Sequence, residues 1–473
     1  MKLDATTLPA FDLPKPTYDR TEIGVGIVHF GVGGFHRAHQ AAYLDELMNQ
    51  GRAREWGICG VGVLPGDRRM AEALTAQDGL YTLLVEHPDG TRSARIIGSL
   101  VDYRYAPDDP ESVLEILAAP TTRIVSLTIT EGGYEADSPD TEISVFGLLT
   151  EALARRRARG VPAPTVMSCD NIENNGAVAR RALIRHAERV DPELAAWIEA
   201  EVRFPSSMVD RITPVTTESV IDAVAGEFGV DDRWPVVAEP YTAWVLEDDF
   251  ADGRPPLDAA GVLLVDDVTP YELMKLRLLN AGHQSLCYFA YLAGYRLVHD
   301  AAVDPLFAEF LDAYMEFEAT PTLLPVPGID LTEYRRTLLR RFANPGIADT
   351  IARLCAWSSD RIPQWLLPVI RANLASGGSI RLAAATVAAW ARYAEGIDEQ
   401  GDPIEVVDQL ADQLIPLART QRTDPTAFID NTALFGDLGS DPRFTEAYVH
   451  ALNSLHHHGA CATLAWLLDK ETA

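Results

Sequence analysis

The sequence is poor in basic residues and in long apolar runs. Its 473 residues include 40 Lys and Arg against 69 Asp and Glu, a net charge of −29. So acidic a surface repels phosphate backbones and anionic lipids, which disfavours nucleic acid and membranes as main partners. No run approaches the roughly 20 apolar residues of a membrane-spanning helix. The N-terminus also lacks the basic start and apolar core of a signal peptide.

Cysteine is scarce as well, and its spacing carries no motif. The five cysteines are far apart and form no Cys-x-x-Cys pair: Cys59, Cys169, Cys287, Cys355 and Cys461. This pattern favours neither a disulfide framework nor a zinc site, and it is typical of a reducing compartment. We therefore expect a cytoplasmic protein without a bound metal.

Buried strands alternate with helical patterns in the first half of the chain. Apolar runs at 23–31, 56–64, 123–130 and 164–170 predict strands, and 36–50 has helical spacing. This alternation predicts an α/β fold with a doubly wound parallel sheet of the Rossmann type. After residue 268 helical periodicity dominates, so we predict two domains, 1–268 and 269–473, the second mainly helical.

A glycine-rich turn follows the first predicted strand. It reads Gly31-Val-Gly33-Gly34-Phe35-His36, so a histidine stands where the third glycine of G-x-G-x-x-G is expected. Glycines at this position let a backbone approach the pyrophosphate of a dinucleotide. A tight turn without a ligand remains the alternative, but the flanking strand and helix are the context that the motif requires.

Asp67 follows the second predicted strand. A carboxylate there accepts hydrogen bonds from the adenosine ribose and repels a 2′-phosphate, which favours NAD over NADP. Arg68 and Arg69 come next and weaken this preference, because arginine is the residue that a 2′-phosphate attracts. An ordinary loop carboxylate is the other interpretation of Asp67.

The segment 271–283, YELMKLRLLNAGH, places Lys275, Asn280 and His283 among apolar residues with helical spacing. At helical spacing Asn280 and His283 are neighbours, and Lys275 can border the same face. A lysine shielded from water becomes a usable base, because burial lowers the pKa of an ammonium group. Tyr271 and Lys275 also copy the Tyr-x-x-x-Lys of short-chain dehydrogenases, but 254–263 lacks the upstream serine those enzymes need.

Several segments together resemble a known family. FGVGGFHRAHQAAYLDEL (30–47), SCDN (168–171), MVDRITP (208–214) and DDVTPYELMKLRLLNAGH (266–283) look like the long-chain polyol dehydrogenases, the mannitol 2-dehydrogenase family. The resemblance covers almost the whole chain in order. It implies a Rossmann-type NAD-binding domain, a mainly helical substrate domain and a metal-independent, NAD(P)-linked reaction.

The resemblance also implies roles for individual residues. Lys275 corresponds to the general base. The residues that hold the reacting oxygen and orient the substrate correspond to Asn171, Asn280 and His283. The polyol pocket corresponds to Asp210, Arg353 and Arg361. Two acids that pass the proton of the base toward water correspond to Glu131 and Glu272. The cofactor-binding segment corresponds to Gly31, Gly33, Phe35 and Asp67.

These observations predict an NAD-dependent polyol 2-dehydrogenase that interconverts D-mannitol and D-fructose, or acts on D-arabinitol or D-sorbitol. Two alternatives stay open: a hexuronate reductase of the fructuronate type, which needs extra cations for the sugar carboxylate, and a catalytically silent NAD-binding regulator. The preferred polyol is open because the connection 134–145 is short and Ala281 precedes Gly282-His283 where family members have Gly-Ser-His. The oligomeric state is open too.

Overall fold

The computed structural model describes residues 1–134 and 143–469. The chain divides into two compact units, Met1–Thr269 and Pro270–Ala473. Each unit is considered by itself. Across the described residues, no helix combines the length and the apolar character needed to cross a membrane.

The first unit is built on strands that form three sheets. The strands are β1 (Val25–Phe30), β2 (Gly57–Gly62), β3 (Tyr81–Glu86), β4 (Arg92–Ile97), β5 (Leu100–Tyr105), β6 (Ile124–Leu127), β7 (Thr165–Ser168), β8 (Ser207–Asp210), β9 (Val236–Ala238), β10 (Ala243–Glu247) and β11 (Leu263–Val265). The main sheet has the order β5-β2-β1-β6-β7, and every pair in it is parallel.

Helices connect these strands. They are α1 (Gly34–Ala38), α2 (Gln40–Asn49), α3 (Arg68–Ala76), α4 (Pro110–Ala118), α5 (Val145–Arg159), α6 (Asn175–Val190), α7 (Pro192–Glu201) and α8 (Glu218–Phe228). Strands β2, β6 and β7 are buried along their whole length, as expected of a parallel sheet covered on both faces. The predicted doubly wound parallel sheet is confirmed.

The helix expected over 36–50 is interrupted. Backbone angles of φ −117° and ψ −93° at His39 separate α1 from α2. The His39 ring is tied to β10, where its Nε2 lies 2.9 Å from the carbonyl of Ala243. Helical periodicity continues through the break, so the sequence pattern alone could not reveal it.

The two smaller sheets were not predicted. One has the order β4-β3-β9 and the other β11-β10-β8. β8 to β11 span three to five residues each, too short for an alternating pattern to stand out. The β3–β4 hairpin is the longest omission, and its second strand carries the arginines Arg92 and Arg95.

The second unit is mainly helical, as predicted. Its helices are α9 (Thr269–Met274), α10 (Ala281–Leu292), α11 (Val298–Ala302), α12 (Pro305–Ala313), α13 (Leu331–Phe342), α14 (Ile351–Cys355), α15 (Ser358–Trp365), α16 (Leu367–Ser376), α17 (Arg381–Tyr393), α18 (Ala411–Thr420), α19 (Thr432–Phe435) and α20 (Pro442–Leu468). Two π-helical turns, Lys275–Asn280 and Tyr314–Ala319, extend α9 and α12. α10 packs against α14 and α17.

Candidate active site

The turn after β1 lies at the topological switch point of the main sheet. The chain runs from β1 to β2 on one side and returns to β6 on the other, so the carboxyl ends of β1 and β6 border a crevice. Open α/β sheets bind their ligands at this place. The glycine turn, Asp67 and Asn171 follow the carboxyl ends of β1, β2 and β7, at the same edge.

Gly31 and Gly33 serve different purposes in this turn. Gly31 has φ +88°, and a Cβ built on it would lie 2.0 Å from the carbonyl oxygen of Thr128. A side chain is therefore excluded there by both conformation and space. A Cβ on Gly33 would meet only the carbonyl of Gly31, at 3.8 Å. The absent side chain of Gly33 thus leaves room for a ligand to approach the backbone.

A cleft of about 360 Å³ begins at this turn. The segment after β1 contributes Val32, Gly33, Gly34, Phe35 and Arg37, and the segment after β2 contributes Gly66, Asp67, Arg69 and Met70. The facing wall consists of Thr213, Pro214, Val215, Thr216 and Trp234. The structure thus brings Gly33, Phe35 and Asp67 to one cleft, whereas Gly31 supports the turn against Thr128.

One oxygen of Asp67 is fixed and the other is left for a ligand. The backbone amides of Val63 and Leu64 both donate to Oδ2, at 2.9 Å. Among the described residues, Oδ1 has no hydrogen-bond partner. A carboxylate held in this way fits the hydroxyls of an adenosine ribose, and Gly33 offers space for a pyrophosphate, so these residues fit a dinucleotide cofactor.

The two arginines after Asp67 point in different directions. Arg68 forms a bidentate ion pair with Asp108, at 2.7 and 3.2 Å, and lies over the ring of Tyr105. Arg69 lines the cleft and lies over the ring of Trp234, 3.7 Å from its centroid. Of these two arginines, only Arg69 lines the cleft with Asp67 and is placed to counter the NAD preference predicted from Asp67.

His36 replaces the missing third glycine by stacking on another histidine. The rings of His29 in β1 and His36 in α1 lie 3.5 Å apart and nearly parallel. The third glycine of the motif normally allows close packing of helix on strand. Here two flat rings achieve it, and both side chains are completely buried.

Burial has a consequence for acid stability. It lowers the pKa of His29 to about 3, and it lowers the pKa of His36, where neighbouring His29 adds to the effect. Below pH 6.5 these two histidines therefore bind protons in the unfolded chain but stay neutral in the native chain. The free energy of unfolding therefore decreases as the pH falls. From pH 7.5 to 5.5 we expect each histidine to lower the free energy of unfolding by roughly 1 kcal/mol.

Urea unfolding of the wild type and of His36→Phe at the two pH values measures this effect. Phenylalanine keeps the stacking but does not titrate. The change in the free energy of unfolding between the two pH values should therefore be smaller in the variant by the contribution of one histidine. Equal pH dependence in His36→Phe and wild type would contradict the assignment.

Hydrogen bonds join the loop after β7, which carries Asn171, to the start of β8, whose last residue is Asp210. The amide of Asn175 donates to the carbonyls of Asp170 and Ser207, at 3.0 and 2.7 Å, and so ties the two strand ends together. The carboxylate of Asp170 accepts the backbone amides of Ile129 and Thr130. Asp170 and Asn175 thus fix the loop that carries Asn171 and the first residue of β8, the strand that ends at Asp210, and sequence reasoning missed both.

Two expectations fall partly outside the described residues. The side chain of Glu131 is not among them. The connection 134–145 contains 135–142, which lie outside as well. The role predicted for Glu131 therefore stays a prediction.

In the second unit, Lys275 and Asn280 are the first and last residues of a π-helical turn. The sequence predicted ordinary α-helical spacing here, and that expectation is wrong. In a π-helix the hydrogen bonds run from residue i to i+5, so residues five apart are stacked one turn above each other. Lys275 and Asn280 therefore lie closer to the same face of the helix than they would in an α-helix.

A neighbouring segment stabilises this turn. The hydroxyl of Tyr314, in the second π-helical turn, donates to the carbonyl of Arg277 at 3.2 Å. The guanidinium of Arg277 reaches the carbonyl of Thr322. π-helical turns occur frequently at functional sites. This one depends on tertiary contacts, which explains why local sequence did not indicate it.

The polar side chains of this segment are largely shielded. Lys275, Glu272 and Asn280 are 9%, 5% and 6% exposed. The carboxamide oxygen of Asn280 is buried and has no hydrogen-bond partner among the described residues. His283 stacks on Phe342, with ring centroids 4.0 Å apart. An unsatisfied amide beside a buried lysine costs stability and is typical of a ligand site.

Arg353 and Arg361 are held close together by α14 and α15. Arg353 pairs with Asp349, and Arg361 donates to the carbonyls of Arg353 and Leu354, at 3.2 and 3.4 Å. Gln284, next to His283, also donates to the carbonyl of Leu354, at 3.2 Å. The helix that follows Lys275 and Asn280 is thus connected to both arginines, and sequence reasoning missed Gln284.

Comparison with known proteins agrees with these geometries. Residues 25–259 match the mannitol dehydrogenase Rossmann domain, and residues 267–456 match the mannitol dehydrogenase C-terminal domain. The chain belongs to the mannitol dehydrogenase family. The predicted resemblance is confirmed.

Individual members of the family are similar over almost their whole length. Mannitol 2-dehydrogenase of Phaeosphaeria nodorum is 43% identical over 98% of this chain and 85% of its own. The Pseudomonas fluorescens mannitol 2-dehydrogenase, solved as a ternary complex with NAD and D-mannitol, is 43% identical with a TM-score of 0.91, over 99% of this chain and 100% of that one. A substrate-free D-sorbitol dehydrogenase is 36% identical with a TM-score of 0.89, over 98% and 100%.

Metal ligands were not expected for this family member. Within residues 1–134 and 143–469, no group of three or more His, Cys, Asp and Glu side chains is arranged to hold a metal ion.

Proposed function

We propose that this protein is an NAD-dependent polyol 2-dehydrogenase that oxidises D-mannitol to D-fructose, with D-arabinitol and D-sorbitol as related substrates. The observation that carries the proposal is the shielded Lys275 at the start of a π-helical turn that ends at Asn280, whose buried carboxamide oxygen has no hydrogen-bond partner among the described residues. Family membership supports it, and so does the similar Pseudomonas fluorescens mannitol 2-dehydrogenase, whose solved complex contains NAD and D-mannitol.

The residues of the first unit supply the cofactor site in this proposal. Gly33 leaves space for the pyrophosphate, Phe35 borders the same cleft, and Asp67 directs its second oxygen to the ribose hydroxyls. Gly31 maintains the turn. Bound NAD supplies the acceptor for the hydride that leaves the secondary alcohol.

Lys275 is proposed as the general base. A secondary alcohol releases its hydride only as its hydroxyl proton departs, so a base within hydrogen-bond reach is required. Lys275 is only 9% exposed, and shielding an amine from water favours its neutral form. Glu272 lies three residues earlier on the same helical face, and we propose that it passes the proton onward, a role that the resemblance also gives to Glu131.

Asn280 is proposed to stabilise the oxygen that loses this proton. A carboxamide N–H lowers the energy of a developing alkoxide without adding a full charge, as in an oxyanion hole. We assign the same role to Asn171. His283, whose ring is held by Phe342, is proposed to orient the polyol, and Asp210, Arg353 and Arg361 to bind its remaining hydroxyls.

The two alternative functions have less support. A hexuronate reductase needs cations for the sugar carboxylate, but Arg353 is paired with Asp349 and Arg361 donates to two carbonyls. A silent regulator does not require the complete set of Lys275, Asn171, Asn280 and His283. We place the reaction in the cytoplasm, which the five free cysteines support.

A substrate panel tests the proposal. Purified enzyme is given NAD with each of D-mannitol, D-arabinitol, D-sorbitol and a hexuronate-derived alcohol, and NADH absorbance is followed. We expect turnover with at least one of the three polyols and none with the hexuronate derivative. Absence of turnover with every polyol would favour the silent regulator.

A chelation arm tests the metal-independent chemistry. Prolonged dialysis against EDTA should leave polyol oxidation unchanged, because the proposed base and the oxyanion donors are side chains. Activity that is lost on chelation and restored by zinc would contradict the mechanism.

A further inference from the structure

The cofactor cleft contains an arginine–tryptophan pair. Arg69 is the second residue of α3, and its guanidinium lies 3.7 Å from the centroid of the Trp234 ring. Both residues line the cleft together with Asp67. The pair thus joins the segment after β2, which carries Asp67, to the wall that faces it.

Trp234 provides a rigid support. Its backbone amide donates to the carboxylate of Asp232 at 2.9 Å, and its carbonyl accepts from the buried guanidinium of Arg37. Asp232 is itself buried and also accepts the side chain of Gln77. Hydrogen bonds at both the backbone amide and the carbonyl of Trp234 thus fix the residue whose ring lies under Arg69.

The charge of Arg69 is available to a ligand. Among the described residues it makes no ion pair, whereas Arg68, the residue before it, is neutralised by Asp108. Consecutive helical residues point about 100° apart, which explains why one arginine lines the cleft and the other does not. A planar guanidinium stacked on an indole can still bind a phosphate or stack on a purine with its free edge and face.

We propose that Arg69, held on Trp234, contacts the adenosine end of the dinucleotide and provides a phosphate-binding group for the 2′-position, which Asp67 counteracts. The inference rests on the proposed NAD-dependent function and adds a second determinant of cofactor choice. In this proposal the enzyme prefers NAD because Asp67 repels a 2′-phosphate, although Arg69, a cation that could bind that phosphate, already lines the cleft.

Calorimetric titration with ADP-ribose and 2′-phospho-ADP-ribose tests this proposal. Neither compound carries a nicotinamide, so the measurement does not depend on catalysis. Asp67→Asn keeps an acceptor for the amides of Val63 and Leu64 but removes the charge. We expect this variant to bind the 2′-phospho compound at least tenfold more tightly than wild type, and the double variant with Arg69→Ala to lose about tenfold of that affinity.

Arg68→Ala in the Asp67→Asn background is the matched control, because it removes a neighbouring arginine whose charge is paired with Asp108. It should keep the gain in affinity. Equal affinity of the Asp67→Asn enzyme with and without Arg69, or an equal loss on removing Arg68, would overturn the proposal.

If Asp67→Asn does not fold, the single variant Arg69→Ala tests the same proposal. The ratio of the two affinities, 2′-phospho over unphosphorylated, should fall about tenfold relative to wild type, and an unchanged ratio would overturn the proposal. If ADP-ribose failed to bind the wild type at all, the result would instead contradict the assignment of the cleft as the cofactor site, and with it the proposed function.

Discussion

Replacing Lys275 with alanine should lower polyol turnover by about 100-fold or more, the usual contribution of a positioned general base. The loss is expected because Lys275 is the shielded amine of the π-helical turn and carries the proton of the reacting hydroxyl in the proposed mechanism. Affinity for NADH, measured by fluorescence titration, should not change, because the cofactor cleft is lined by residues of the first unit.

Arg277→Ala is the matched control for this variant. Arg277 lies in the same π-helical turn and is also a cation, but its guanidinium contacts the carbonyl of Thr322. We expect it to lower the melting temperature and to lower turnover far less than Lys275→Ala does, because it weakens the support of the turn but leaves the proposed base in place. Near-normal turnover of Lys275→Ala would make Lys275 a structural lysine and would direct the search for the base to His283 or Glu131.

Replacing Asn280 with leucine should separate activity from stability. Turnover should fall by about 10²- to 10³-fold, the range found when one oxyanion donor is removed. The melting temperature should stay level or rise, because leucine of similar size removes a buried oxygen without a partner, whose burial costs about 1–3 kcal/mol. Stability gained with activity lost is the signature of a group retained for function.

Asn373→Leu is the comparison. The side-chain amide of Asn373 is also buried, but it donates to the carbonyl of Glu318 at 2.8 Å. Its loss should lower the melting temperature and leave turnover nearly unchanged. If Asn280→Leu behaved in the same way, Asn280 would be a structural residue and the assignment of the oxyanion donor would fail.

The parts of the fold that were predicted correctly depend on local sequence. Apolar runs ending in glycine mark β1 and β2, because a parallel strand buried on both faces needs little else. The Gly31–Gly34 turn was predicted as well, since its conformation and open space are properties of glycine itself. The same holds for the helical second unit, whose periodicity extends over long segments.

The parts that were missed depend on contacts distant in sequence. The π-helical turn relies on Tyr314, 39 positions after Lys275 in the printed sequence. The break at His39 relies on Ala243, and the direction of Arg69 relies on Trp234. No pattern within a single segment contains this information. Sequence could therefore name Lys275, Asn280 and Asp67 but not the supports that fix them.

Rescue of Lys275→Ala by small amines tests the central claim most directly. A primary amine added to the variant should restore part of the rate of polyol oxidation, because it can take the hydroxyl proton in place of the missing side chain. The restored rate should grow with the concentration of free-base amine, and Arg277→Ala should show no such dependence. A Lys275→Ala enzyme that binds NADH normally, is impaired in turnover and gains nothing from any amine would contradict the role of Lys275 as the general base.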